Sequence, residues 1–257
     1  MANVAIIDGD VVAYLACVRD YYAFKKANAV ETEEEFEKNL EDFWMNFQEI
    51  MMDIIKVTKA DFFLMAVKSS TNFRDWLFPE YKAHRAAKDD TKKNRYVPVL
   101  RQRAIDAGIA IEAHDREADD LVRIWAEEAK ACGDTYVVCS IDKDLKCIPG
   151  KHLLLKHNTI ITVSEQYAKR FYYTQLLQGD PTDNIQGIPG IGPKKAEALL
   201  EPYETEGEFQ AVVIEEYRNY YGSDWRHYLL GNGKLIYLQR NPNDYFNIRG
   251  WRQFEPA

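Results

Sequence analysis

The chain lacks several things that would have settled its class early. It has no run of 18 apolar residues, so no membrane-spanning helix is expected. Its start, Met1-Ala2-Asn3, has no basic stretch leading into an apolar one and enters a strand directly, which argues against a secretion signal. Cysteine is scarce: Cys17, Cys132, Cys139 and Cys147, with no Cys-x-x-Cys pair. That excludes a disulfide framework and fits reduced thiols in a cytosolic protein. Excess positive charge is missing too. The net charge is −8, from 33 Lys and Arg against 41 Asp and Glu, which argues against a simple basic nucleic-acid binder. No internal repeat or low-complexity linker is present. A length of 257 residues suits one domain with a sizeable core, or two unequal lobes.

What the chain does have is acid at the ends of apolar runs. Val4–Ile7 leads into Asp8-Gly9-Asp10, and Tyr136–Ile141 leads into Asp142-Lys143-Asp144. Ile109–Ile111 is followed by Glu117-Ala118-Asp119-Asp120, and Asp180 and Asp183 precede a loop of Gly and Pro. In an α/β sheet, strand ends converge on one crevice. So many carboxylates together repel unless cations neutralise them, and hard divalent ions held by oxygen are the economical choice. Each acid has a plainer reading: Asp8 as a turn residue, Asp142-Lys143-Asp144 as a solvated turn, Glu117 to Asp120 as an acidic helix start. Jointly they are harder to dismiss. These eight (Asp8, Glu117, Asp119, Asp120, Asp142, Asp144, Asp180 and Asp183) account for the whole acidic excess. Without them the balance is 33 against 33.

The coarse pattern alternates strands and helices. Strands are expected at 3–7, 62–67, 109–112 and before Asp142. Helices are expected from Val11 to Lys26, over 32–56 with a Thr32/Glu35 capping box, near 97–107, and over 117–131. A hairpin is expected at 153–163, turning at Asn158-Thr159, and a helix from Ser164 to Phe171. This indicates an α/β fold with a mixed, mostly parallel sheet flanked by helices. Beyond about residue 164 the pattern is mostly helical. We divide the chain into a core at 1–175 and a helical region at 176–257.

Two further motifs point to nucleic acid. Gln186-Gly187-Ile188-Pro189-Gly190-Ile191-Gly192-Pro193-Lys194-Lys195 forces a tight hairpin before a helix. That helix N-terminus would turn free N–H groups toward an anion, with Lys194 and Lys195 adding charge. This is the pattern of a helix-hairpin-helix grip on a phosphate backbone, which reads phosphate and not sequence. The spacing does not match a Walker loop. Residues 80–103 carry eight cations: Lys82, Arg85, Lys88, Lys92, Lys93, Arg95, Arg101 and Arg103. In Tyr81-Lys82-Ala83-His84-Arg85, the two cations are expected one helical turn apart, clamping one phosphate, with Tyr81 free to stack on a base.

With these motifs in this order, the chain resembles the 5′-nucleases: flap endonucleases, the 5′-nuclease domain of bacterial DNA polymerase I, and above all the short phage 5′→3′ exonucleases. The resemblance implies a sheet-centred (PIN-like) nuclease core and a helical arch near 80–103. It also implies two Mg²⁺ (or Mn²⁺) ions on the eight acids, and K⁺ at the 187–195 hairpin. One ion falls to Asp8, Glu117, Asp119 and Asp142, the other lies nearer Asp144, Asp180 and Asp183, and Lys82 and Arg85 serve the scissile phosphate. The implied partner is DNA with a 5′ end, flap, nick or gap, or an RNA–DNA hybrid. The implied setting is replication, primer removal or DNA degradation, by a monomer in the cytoplasm, that of a bacterial host if phage-encoded. One departure stands out. Where the family has an acid after the second strand, this chain has Lys68-Ser69-Ser70, with Ser69 at the usual Asp, and Asp10 is the candidate to compensate. The competing readings are a PIN-like ribonuclease, which would lack the hairpin, and a catalytically inactive DNA-binding protein on the same scaffold.

Overall fold

The computed structural model describes residues 1–18, 32–83 and 95–251. Packing divides the chain into two units, Met1–Asn72 with Asp89–Leu145 and Gly150–Thr162, and Phe73–Lys88 with Lys146–Pro149 and Val163–Ala257. This differs from the expected boundary at 175. Residues 163–175 and the segment opening at Phe73 belong with the helical unit, because their apolar side chains share its core.

The first unit is built on a six-stranded sheet in the order β3-β2-β1-β4-β5-β6. Its strands are β1 (Asn3–Asp8), β2 (Phe62–Lys68), β3 (Ile111–Ala113), β4 (Thr135–Ser140), β5 (Gly150–Leu154) and β6 (Thr159–Val163). The pairs β1–β2, β1–β4, β2–β3 and β4–β5 are parallel. Val4 to Ile7 and Val137 to Cys139 are almost completely buried, as continuous apolar strands covered on both faces should be. The helices of this unit are α1 (Gly9–Val18), α2 (Glu33–Thr58), α4 (Tyr96–Asp106) and α5 (Ala118–Cys132); α3 (Phe73–Leu77) belongs to the second unit. Thr32 and Glu35 do form the expected capping box. Phe36, Leu40, Phe43, Phe47 and Met51 line one buried face of α2. The expected helix from Val11 to Lys26 is seen to Val18, and its remainder lies outside the described residues. The strand expected at 109–112 begins two residues later, because Ile109 and Ala110 close the end of α4 by hydrogen bonds to Ala104 O.

The second unit contains α6 (Glu165–Gln178), α7 (Pro193–Leu200), α8 (Glu206–Tyr221) and α9 (Trp225–Ile236) around a core that includes Tyr173, Leu177, Phe209, Val213, Tyr217 and Leu229. Ser164 caps α6 by accepting from Tyr167 N, and the helix runs a further two turns past the expected end at Phe171. Arg74 on α3 is completely buried. It donates to the carbonyls of Leu235 (3.0 Å) and Tyr237 (2.7 Å), groups that the end of α9 leaves without helical partners. The last stretch, which the sequence did not place, wraps back through Phe246, buried against Gly233, where a side chain would meet its ring. Among the described residues, no helix is long and apolar enough to cross a membrane.

Candidate active site

The order of the sheet reverses at β1, which lies between β2 and β4, so the crevice beyond the carboxyl ends of β1 and β4 is the natural ligand position. Asp8 is the last residue of β1 and is 4% exposed. Its Oδ2 accepts from Ser140 Oγ at 2.8 Å, and its Oδ1 accepts from Val11 N at 3.2 Å. Ser140, the last residue of β4, also accepts from Asp142 N at 2.9 Å, and Asp142 Oδ1 in turn accepts from Asp144 N at 2.8 Å. One hydroxyl thus ties the acids after β1 to those after β4. Burial raises the Asp8 carboxyl from 3.8 to about 7, with Asp10 and Asp142 pushing the same way and the Ser140 and Val11 hydrogen bonds opposing.

Glu117 is the N-cap of α5 and is half-buried; Asn72 donates to its Oε1 at 3.3 Å. Asp120 is fully buried, and its Oδ2 accepts from Glu117 N at 3.0 Å. The helical spacing expected of Glu117 and Asp120 is real, but it serves a reciprocal cap, so Asp120 orients Glu117 as well as adding charge. Asp119 is half-buried in the same first turn. Ser69 closes a turn: it accepts from Thr71 N at 3.1 Å. Three contributors were given no role at this site by the sequence reading: Ser140, Asn72 and Arg101, the last counted only among the cations of 80–103. Ser140 ends a strand two residues before Asp142, a signal that was available; Asn72 and Arg101 become visible only through long-range contacts.

The remaining acids belong to the second unit. Asp180 caps the short 3₁₀ turn Pro181–Asp183 by accepting from Thr182 N at 2.8 Å, and both Asp180 and Asp183 are buried. Here two expectations need correction. Tyr81 is 6% exposed, and its hydroxyl lies 3.4 Å from Asp183 Oδ2, so its ring is packed inside and not offered to a base. Lys82 is not in a helical conformation, and Arg85 lies outside the described residues. Lys82 sits in a turn at φ 56, donates its N–H to Asp183 O at 3.1 Å, and holds its ammonium 3.5 Å from Asp183 Oδ2. Arg85, Lys88, Lys92 and Lys93 lie outside the described residues. Three further cations of the 80–103 stretch are engaged with acids of the first unit: Arg95 with Glu33, Arg103 with Glu41 and Arg101 with Asp10.

The hairpin has the expected geometry. It joins α6 to α7, and Gly187 and Gly190 take positive φ, at 60° and 82°. Gly187 and Gly179 face each other so closely that a Cβ on either would strike backbone of the other strand of the loop. Ile188 N returns to Leu177 O at 2.8 Å, and Tyr221 donates its hydroxyl to Gly187 O at 2.9 Å. Gly192 is the N-cap of α7 and Pro193 its first residue. With no capping side chain, the first-turn N–H groups stay available, and Lys194 and Lys195 beside them are exposed.

The donor set of the first unit is hard carboxylate oxygen around a buried acid, which suits Mg²⁺ or Mn²⁺. Among the described residues no group of three or more His, Cys, Asp or Glu side chains is already gathered closely enough to hold an ion.

Residues 3–177 match the family model of the 5′-3′ exonuclease N-terminal resolvase-like domain. The chain belongs to the 5′-3′ exonuclease family. It is thereby a nuclease of the 5′→3′ exonuclease class. A 5′-3′ exonuclease of Buchnera aphidicola is 28% identical over 210 residues, covering 78% of this chain and 70% of the relative. One from Mycoplasma pneumoniae is 27% identical over 233 residues, covering 80% and 74%. DNA polymerase I of Rhizobium leguminosarum is 30% identical over 169 residues, but these are only 17% of the polymerase. Among solved structures, the flap endonuclease of bacteriophage T5 shares the fold, with a TM-score of 0.62, 16% identity, and coverage of 91% of this chain and 93% of that one.

Proposed function

We propose that the chain hydrolyses phosphodiester bonds of DNA from 5′ ends in a divalent-metal-dependent reaction, as an exonuclease that also cuts 5′ flaps. One observation carries this reading: a buried carboxyl, Asp8, at the switch point of the sheet, joined through Ser140 to Asp142 and its neighbouring acid Asp144. Support also comes from the bacteriophage T5 structures, one described as a complex with DNA and metal ions and another with zinc bound.

Asp8, Glu117, Asp119 and Asp142 would hold the ion of the first unit, with Asp144 beside them. When bound, divalent ions supply the charge that clamps a phosphate and acidifies an attacking water. The chain's own residues do the rest. Ser140 fixes the rotamer of Asp8 and the approach of Asp142. Asp120 and Asn72 fix Glu117. Lys82, released from Asp183, and Arg85 would meet the developing charge on the phosphate. The α7 N-terminus with Lys194 and Lys195 would hold duplex backbone, without reading its bases.

The decisive experiment is digestion of blunt, nicked, gapped and flapped duplexes, labelled at either end, with Mg²⁺, with Mn²⁺ and with chelator. Release from the 5′ label with metal, and none with chelator, is expected. Cleavage of single-stranded RNA in preference to duplex DNA would instead favour the ribonuclease reading. Binding without cleavage in any metal would leave a DNA-binding protein.

A further inference from the structure

Asp10 was the candidate to replace the acid that Ser69 lacks, and its surroundings assign it different work. Its Oδ1 accepts from the Arg101 guanidinium Nε at 2.5 Å, and its Oδ2 accepts from Lys68 N, at the end of β2, at 2.9 Å. The pair is largely enclosed, with Arg101 at 14% and Asp10 at 25% side-chain exposure. Asp10 still lies close enough to Asp8 to raise its carboxyl. Arg101 belongs to α4, which follows directly on the cation-rich stretch expected to form the arch. Asp8 also accepts one hydrogen bond on each oxygen, but from neutral donors; what sets Asp10 apart is that one of its oxygens already faces a fixed cation.

We infer that Asp10 and Arg101 form a built-in neutral pair that positions the metal pocket, with Asp10 excluded from the ligand set. The guanidinium does electrostatically what a metal would otherwise do at this corner, so the missing acid at Ser69 leaves no surplus charge to neutralise. The same pair ties α4 to the ends of β1 and β2, at the floor of the site. This inference rests on the metal-dependent reading above.

The test is a charge cycle on the full chain, read by electron paramagnetic resonance of free Mn²⁺ and, separately, by kcat and KM on 5′-labelled duplex with Mg²⁺. Arg101→Gln bares the Asp10 charge and should tighten Mn²⁺ binding about three- to tenfold, while lowering kcat more than it changes KM. Asp10→Asn leaves Arg101 uncompensated and should weaken binding by a similar factor. The double variant Asp10→Asn with Arg101→Gln is neutral again and should return Mn²⁺ affinity to within about twofold of the parent, as a pair that never touched the ion requires. A double variant weaker than the parent by tenfold or more would make Asp10 a ligand and overturn the inference. Equal affinity in all four proteins would overturn it as well. If Arg101→Gln folds poorly by thermal melting, Arg101→Lys keeps the charge and should keep the parent's Mn²⁺ affinity; a shift of threefold or more in that variant counts against the pair. A parent that binds no Mn²⁺ at all would strike the metal reading itself, and this inference with it, a result easily told apart from the others.

Discussion

On the proposed reading, the two units address phosphate by opposite physical means. In the α/β unit, parallel strands end on carboxylates, and the working groups are charged side chains held by other side chains: Ser140 on Asp8, Asn72 on Glu117, Arg101 on Asp10. In the helical unit the working groups are backbone N–H dipoles, and what positions them is the absence of side chains, at Gly187, Gly190 and Gly192. The first arrangement attracts cations and would pass that attraction on to phosphate through them. The second attracts the anion directly. The comparison teaches where each unit is vulnerable. Charge substitutions that barely alter shape should disable the first. Shape substitutions that alter no charge should disable the second.

The largest effect that would break this comparison is on Asp142. Asp142→Asn keeps the volume and the backbone N–H that donates to Ser140, but removes the charge. Single-turnover cleavage should fall by about three orders of magnitude or more, roughly 4 kcal/mol of barrier, while duplex binding by gel shift stays within about twofold. Cleavage at the parental rate would refute the carboxylate assignment.

Next comes Gly187→Ala, a change of shape alone. At φ 60 a Cβ there meets the backbone of Gln178 and Gly179, which are not free to retreat. Gly190→Ala is the matched control, since it has positive φ but open space around it. Strain at a lone left-handed residue costs about 1–2 kcal/mol; a clash with backbone adds to that. Thermal melting should therefore fall markedly more in Gly187→Ala than in Gly190→Ala, and duplex affinity with it. Equal losses would mean that close approach at the hairpin base is not what shapes it.

A third effect concerns stability and runs against intuition. In chelator, Asp8 carries a carboxyl raised from 3.8 to about 7 by burial and by Asp10 and Asp142. Below about pH 4 both folded and unfolded chains hold this proton, and Asp8 adds no pH dependence. Between about 4 and 7 the unfolded chain releases the proton first, so the folded state binds more, and stability falls as pH rises. Above about 7 the loss is complete. Asp8→Asn should thus melt higher than the parent at pH 7.5 without metal, by several degrees, and the gain should vanish near pH 4. A variant that melts lower at pH 7.5 would show that Asp8 is not a destabilising buried charge.

These contrasts also explain what the sequence made legible. The sheet and its acids were readable because apolar runs ending on Asp announce themselves locally, as did the Thr32/Glu35 cap and the Gly-Pro hairpin. The surroundings of Tyr81, Lys82 and Asp10 escaped the sequence for one shared reason. Their partners, Asp183 and Arg101, lie far along the chain, and a local reading treats an unpaired polar residue as available. Arg74 shows the same gap: nothing near it in the sequence suggests that a short helix carries an arginine fully buried on the carbonyls of Leu235 and Tyr237. The packing division falls before α6 and not at 175, because the core partners of that helix lie after it.

The smallest effect sharpens the division of labour within the hairpin. Lys194 and Lys195 are exposed in the first turn of α7, beside N–H groups that no side chain caps. If the N–H dipoles give the hairpin its geometry and the lysines add only diffuse attraction, the two contributions separate with salt. Each phosphate neutralised by a lysine contributes about 0.9 to the slope of log affinity against log salt. Lys194→Ala with Lys195→Ala should therefore lower that slope by up to about 2, weaken duplex binding severalfold at low salt, and leave the difference nearly gone at about 0.5 M salt, where surface charges are screened. Cleavage at saturating DNA should be unchanged, since neither lysine is asked to meet the reacting phosphate. An unchanged salt slope would mean that these ammonium groups never reach the backbone, and that the hairpin grips by its N–H groups alone.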